Sequence, residues 1–304
     1  MATPERRFDV WAGASAYERY MGRWSRPVAR EFVPWCAAGE GLRWLDVGCG
    51  TGVLSQVVAE SARPRLVLGA DRSETFVAAA RAGVHGPVRF AVADATALPV
   101  RAGTFDMAVA ALVLNFLPDP VAAAAGMTRS VQPGGTVAAY VWDYADGMGF
   151  LRLFWDAAVR ADPAAHALHE GGRFRACRPE DLRRTWLGAG LADVAVTGIE
   201  IPTVFTDFAD LWEPFLAGQG PAPAYAASLG PAGRARVRDA LAAAAPVRAD
   251  GTVALTARAW AVRGRRPRGG PAGHGVTSRT GETRAGRETA PVRPPQPHPP
   301  GRHP

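Results

Sequence analysis

Apolar residues recur along this chain in two alternating rhythms. Short apolar runs at 42–47, 65–70, 88–93 and 105–112, bounded by glycine, proline or aspartate, predict buried strands. Between and after them, stretches at 53–62, 73–82 and 118–130 have helical spacing, with Ser73 at the N-cap position of the second. A helical N-terminal segment is expected over 14–36, with Pro27 near a helix start. Pro133-Gly134-Gly135 predicts a turn into a fifth strand at 136–142. Two later β-rich runs, 194–201 and 252–262, are separated by about 50 residues of helix and loop. Strands alternating with helices predict a parallel sheet covered on both faces.

Composition narrows the function classes. A hydrophobic fraction of 48% supports a sizeable core. The most apolar stretch, 107–127, is interrupted by Asn115, Pro118, Asp119 and Pro120, too broken for a membrane span of about 20 residues. Charged residues in the first thirteen positions argue against a secretory leader. Three widely spaced cysteines predict neither a disulfide framework nor a metal site, so a cytoplasmic location is expected. The formal charge of +7 is unevenly placed, with eight Arg and only two Glu from Gly264 onward. Residues 1–263 are nearly neutral and carry no electrostatic footprint for nucleic acid. The Arg-, Gly- and Pro-rich segment 264–304 reads as a disordered tail, leaving 1–263 as the folded domain.

Chemistry concentrates where the first strand meets the first helix, at Leu45-Asp46-Val47-Gly48-Cys49-Gly50-Thr51-Gly52. Glycines at every second position let a ligand approach the backbone, and the following helix start offers unpaired N–H groups. A dinucleotide fingerprint needs glycine where Val53 stands, and a phosphate loop needs lysine, which this chain lacks. The leading Asp46 repels a pyrophosphate but suits an ammonium group. Further acidic strand ends follow in order at Asp71 and at Asp94-Ala95. Leu98-Pro99, Phe105-Asp106 and Arg129-Ser130-Val131-Gln132-Pro133-Gly134-Gly135 complete the series.

These motifs, in this order, resemble those of class I S-adenosylmethionine-dependent methyltransferases, closest to the small-molecule type 11 branch that includes quinone-biosynthesis enzymes. The resemblance covers roughly residues 17–264. It implies a Rossmann-like α/β fold with a seven-stranded, mostly parallel sheet and helices on both faces. The last strand is then antiparallel, with a helical N-terminal lid and a helical insertion before that strand. S-adenosyl-L-methionine is the implied cofactor, and the partner a small-molecule acceptor methylated at O, N or C by in-line displacement. By the same resemblance Asp46, Gly48 and Gly50 hold the methionine moiety, Asp71 the ribose, and Asp94 and Ala95 the adenine. The segment 111–116, including Leu112, lies beside the transferred methyl. A non-catalytic cofactor-binding module and a nicotinamide-dependent oxidoreductase are the alternatives.

Several residues carry two readings. Ser73 either assists at the ribose or only caps its helix. Tyr17, Tyr20, Arg23 and Trp24 form either a cofactor lid, with Tyr17 and Arg23 contributing and Arg23 neutralising a carboxylate, or an amphipathic helix on the sheet edge. His166, His169 and Asp143 are the candidate bases for a protonated acceptor, and both histidines also read as solvated side chains. Phe205, Phe208, Trp212, Phe215 and Tyr225 make the insertion aromatic, lining an acceptor pocket or anchoring a cap.

Overall fold

In the computed structural model, seven strands form one sheet in the order β3-β2-β1-β4-β5-β7-β6. The residues described are 18–169, 177–217 and 220–268. Strands β1 (Arg43–Val47), β2 (Leu66–Asp71), β3 (Val88–Val92), β4 (Phe105–Ala111) and β5 (Val131–Trp142) pair in parallel. Strand β7 (Val253–Arg265) runs antiparallel to both β5 and β6 (Ala192–Phe205). The central strands are apolar on both faces because helices cover both sides. Val137, Ala138, Ala139, Tyr140 and Val141 are all buried, and Ala108, Val109 and Ala110 of the adjoining strand are fully enclosed. The edge strand β6 instead alternates buried and exposed positions from Ile199 to Phe205.

The three helices that follow the first strands match the sequence pattern within about two residues: α2 (Val53–Ser61), α3 (Glu74–Gly83) and α4 (Pro120–Ser130). Ser73 and Asp119 cap the last two by accepting from the N–H groups of Phe76 and Ala122. Two boundaries differ. Helix α1 (Arg23–Trp35) starts before Pro27 and runs through it, preceded by a π-helical turn at Glu18–Gly22. Tyr20, Met21, Trp24 and Val28 are all core residues, so packing extends the helix despite the proline. Strand β5 likewise begins at Val131 instead of after the glycines, with Val131 paired to Phe105 and a register shift next to it. Both late strands are also longer than their apolar runs, because each supplies a long antiparallel partner to the other.

The lid and the insertion pack on the β5 side. Helix α5 (Gly149–Ala161) follows β5, and α6 (Pro179–Gly188) precedes β6. The insertion folds as α7 (Phe208–Trp212), a 3₁₀ turn at Glu213–Leu216, α8 (Pro221–Ser228) and α9 (Pro231–Ala244). Among the described residues no helix is long and apolar enough to cross a membrane. The described residues form one compact unit. The expected tail falls mostly on 269–304, outside the described residues, while 264–268 are described and include the end of β7.

Candidate functional site

Strand order reverses between β1 and β4, so their following loops diverge and leave a crevice at the carboxyl ends of the strands. A cavity of about 620 Å³ occupies it. Its wall brings together Gly48, Gly50, Asp71, Ser73, Asp94, Ala95 and Leu112 from four separate places in the sequence.

The glycine turn is shaped by its neighbours. Gly48 has φ +70°, and a Cβ there would lie 2.6 Å from a Val113 methyl, so only glycine fits. Gly50 has φ +54°, and the space a side chain would take is open. Asp71 fastens this turn to the next strand. One carboxylate oxygen accepts from the Gly50 N–H at 3.0 Å, and the other from the Ser73 N–H at 2.8 Å. Each oxygen keeps a lone pair for a further donor. The Ser73 hydroxyl accepts from the Phe76 N–H at 3.3 Å and so serves as a helix cap on the cavity wall. Asp94 accepts from both the N–H and the hydroxyl of Thr96, each at 2.7 Å. Those two bonds, helped by the Arg72 charge, hold its carboxyl below the usual range.

Leu112, with φ +56°, occupies a left-handed conformation unusual for a branched side chain. Its N–H donates to the Tyr140 carbonyl at 2.8 Å, which fixes the end of β4 against β5. Backbone strain of this kind, about 1–3 kcal/mol, gathers where a wall must be held open.

Asp46 takes a different place from the one its motif suggests. It is fully buried behind the turn and is not on the cavity wall. One oxygen accepts from the Ser55 hydroxyl at 2.7 Å, and the other has no protein partner. Desolvation pushes its carboxyl up to about 7, and the nearby Asp71 charge adds to the rise. The expected direct contact with a ligand ammonium is therefore corrected to a buried acid beneath the loop.

Arg23 is also corrected. Its guanidinium forms a two-pronged pair with Asp210, at 2.7 and 3.1 Å, and does not border the cavity. Tyr17 lies outside the described residues. The lid segment reaches the cavity instead through Met21 and Ser25.

None of the three candidate bases is on the wall. Asp143 is buried and ion-paired to Arg258 at 2.5 and 2.8 Å, and it also accepts from the Asp146 N–H. It ties the end of β5 to β7, and both its oxygens are occupied. His166 is exposed on a 3₁₀ turn, and His169 packs near Trp155 with ring centroids 5.9 Å apart. The insertion aromatics anchor a cap. Phe215 stacks on Phe154 at 4.3 Å, Phe205 meets Trp24 at 5.3 Å, and Tyr225 meets Trp155 at 5.5 Å. None of them borders the cavity.

The far half of the wall comes from Phe116, at the end of the expected 111–116 segment, and from residues outside the motifs: Tyr140, Trp142 and Tyr144, with Met21 and Ser25. Their one sequence signal is the period-two spacing of Tyr140, Trp142 and Tyr144, which turns successive aromatics toward one face of β5 and its extension. Trp142 is buried, and its indole nitrogen has no protein partner. Among the described residues no cluster of His, Cys, Asp or Glu could hold a metal ion.

Comparison with known proteins agrees with this geometry. Residues 45–139 match the family model for a methyltransferase domain. The ubiquinone biosynthesis O-methyltransferase of Methylococcus capsulatus is 32% identical over 116 residues, covering 36% of this chain and 48% of that protein. The nocamycin O-methyltransferase of Saccharothrix syringae is 33% identical over 135 residues, covering 43% and 48%. The chain thus matches about half the length of these curated relatives. Among solved structures, the phosphoethanolamine N-methyltransferase 2 of Haemonchus contortus, in complex with S-adenosyl-L-methionine, superposes with a TM-score of 0.52 at 16% identity. That match covers 88% of this chain and 60% of the other. A putative methyltransferase from Bacillus halodurans gives 0.51 at 15% identity, covering 79% and 98%.

Proposed function

We propose that this chain is an S-adenosylmethionine-dependent methyltransferase that transfers a methyl group to a small, largely apolar acceptor held beside β5, a reading supported by the match of residues 45–139 to a methyltransferase domain. The observation that carries the reading is the convergence of the glycine turn, Asp71 and Asp94-Ala95 on one cavity.

The residues present fit the cofactor. Gly50 leaves open the space a side chain would fill, and Asp71 retains acceptor capacity on both oxygens while pinning the turn. In this reading Gly48 and Gly50 border the methionine portion, Asp71 accepts from the ribose hydroxyls, and Asp94 and Ala95 meet the adenine. Ser73 supports Asp71 through its backbone N–H while capping α3. Leu112 borders the end of the site where the methyl lies. When bound, S-adenosylmethionine supplies an electrophilic methyl on a cationic sulfur.

The chain's own task is to align a nucleophile with that methyl and to keep water out. Positioning of this kind supplies roughly 7–11 kcal/mol of a barrier. Phe116, Tyr140, Trp142 and Tyr144 offer flat apolar surface, which suits a ring-bearing acceptor.

Two measurements test the proposal. Calorimetry on the intact chain is expected to show S-adenosylhomocysteine binding, weakened by Asp71→Ala by about 1.5–3 kcal/mol, the worth of hydrogen bonds to a charged group. Unchanged affinity removes Asp71 from the site. A mass-resolved screen of ring-bearing metabolites with labelled methyl donor is expected to show transfer. Binding without turnover across the screen favours a non-catalytic module.

A further inference from the structure

Among the described residues, one ion pair joins the lid to the insertion, between residues 187 positions apart. Asp210 is fixed from its own side, because its Oδ2 accepts from the Thr206 N–H at 3.0 Å and Asp207 caps the same short helix. Arg23 is fixed from the other side, with its guanidinium over the rings of Trp24 at 4.6 Å and Phe205 at 5.3 Å. The pair is about three-quarters shielded at Asp210 and two-thirds at Arg23, with side-chain exposures of 24% and 31%. One turn away, Tyr20 sets its edge against Phe150 and against Phe215 of the insertion. On either side of Arg23 in the sequence, Met21 and Ser25 form part of the cavity wall, whereas no described insertion residue does.

We propose that Arg23 and Asp210 form a latch that holds the 20–25 turn against the crevice, making both of them positioning residues for a ligand that neither touches. This rests on the cofactor reading above. An exposed ion pair in one plane contributes little, but here both partners are ordered before they meet, so little side-chain freedom is lost on pairing. The wall they control is narrow. Met21 lies in the π-helical turn, a geometry common where helices serve a function, and Ser25 in the first turn of the helix that follows it. Releasing the pair frees the insertion's only charged grip on those turns among the described residues, and ligand exit is then faster. The insertion therefore acts on the site through the lid and not by lining it.

The test is the dissociation rate of S-adenosylhomocysteine from the intact chain, followed by stopped-flow tryptophan fluorescence. Asp210→Asn and Arg23→Gln are each expected to release it about tenfold faster, a typical coupling between sites. The double variant is expected to be no faster than either single one, because the two side chains act as a unit. Arg23→Lys, which keeps the charge but loses the fork, is expected to fall between wild type and Arg23→Gln. Raising salt is expected to speed release from wild type but not from the double variant, which a merely structural role would not produce. Melting transitions recorded alongside identify any variant that fails to fold, and Arg23→Lys with the salt series then carries the test. Release within about twofold of wild type in both single variants, or additive effects in the double, overturns the latch alone. A wild-type chain that binds no S-adenosylhomocysteine overturns the cofactor reading and the latch with it.

Discussion

The two halves of the crevice are built by different means. On the β1–β3 side, the groups that face the cavity are backbone atoms or side chains within a few residues of a strand end, as at Gly48, Gly50, Asp71 and Asp94. Their placement follows from the strand, the turn and the helix start in one short piece of chain. On the β5 side, the wall combines Met21 and Ser25 with Phe116 and with Tyr140, Trp142 and Tyr144. Period-two spacing connects the three aromatics from 140 to 144, but only tertiary packing brings Met21, Ser25 and Phe116 to them. On the proposed reading, the first half serves the cofactor's nucleoside and the second the acceptor.

The sharpest way to break the comparison is at Gly48, where the local geometry allows no side chain. Gly48→Val is expected to cost roughly 4–5 kcal/mol, among the largest single-substitution effects. Two causes combine: a left-handed φ of +70° and overlap with Val113 at 2.6–2.9 Å. Urea denaturation measures the loss. Adding Val113→Ala removes the two overlapping methyls but keeps the Cβ at 2.9 Å, so it is expected to return most of the overlap cost and leave the part due to backbone conformation. Full recovery would show that the turn tolerates a side chain and that its shape is not set locally.

Asp46 sharpens the same half by pH. Its carboxyl is raised to about 7 from an ordinary 3.8, so between those values the folded chain holds a proton that the unfolded chain has lost. Stability from this group is full below about pH 4 and declines as pH rises through 7, by about 2–4 kcal/mol at ~1.4 kcal/mol per unit. Asp46→Asn is expected to flatten that decline in thermal melts from pH 4 to 8 and to be more stable than wild type at the upper end. An unchanged slope would place the titration elsewhere. The unpartnered oxygen of Asp46 beneath the turn is the structural reason for expecting the effect.

How much could be read from the sequence follows the same division. The strands and helices around Gly48, Asp71 and Asp94 were legible because apolar period, capping and glycine placement all act over short distances. The charge of Arg23 suggests a ligand, whereas its partner Asp210 lies 187 positions away, beyond the reach of local pattern. Asp143 read as a base at a strand end because Arg258, its partner across the antiparallel β5–β7 pairing, is invisible to local pattern. Pro27 read as a helix start because propensity ignores Tyr20, Met21 and Trp24, whose burial carries the helix one turn further. The insertion aromatics left two readings open, and their stacking on Phe150, Phe154 and Trp155 settles them as cap anchors. Tyr140, Trp142 and Tyr144 were the hardest to see as a site, since alternating aromatics on a strand describe a core equally well.

The smallest expected effects lie at the histidines, and they test whether the acceptor half ends where the cavity does. His166 is exposed on its turn, so His166→Ala is expected to change stability by no more than about 0.5 kcal/mol. His169 is half-buried, and that burial, more than the neighbouring charges, lowers its pKa and favours the neutral ring. A lowered histidine pKa contributes stability that is lost as pH falls through the ordinary range near 6.5, so His169→Ala should soften acid denaturation slightly. Neither ring borders the crevice, and both variants are expected to bind S-adenosylhomocysteine within about twofold of wild type. Once an acceptor is in hand, turnover should be equally unmoved, because a general base removed from the site costs about 10²–10⁴-fold and a distant side chain does not. A loss of that size in His169→Ala, with cofactor affinity intact, would extend the acceptor half across α5 to the cap and make the insertion a wall of the site instead of the anchor of its lid.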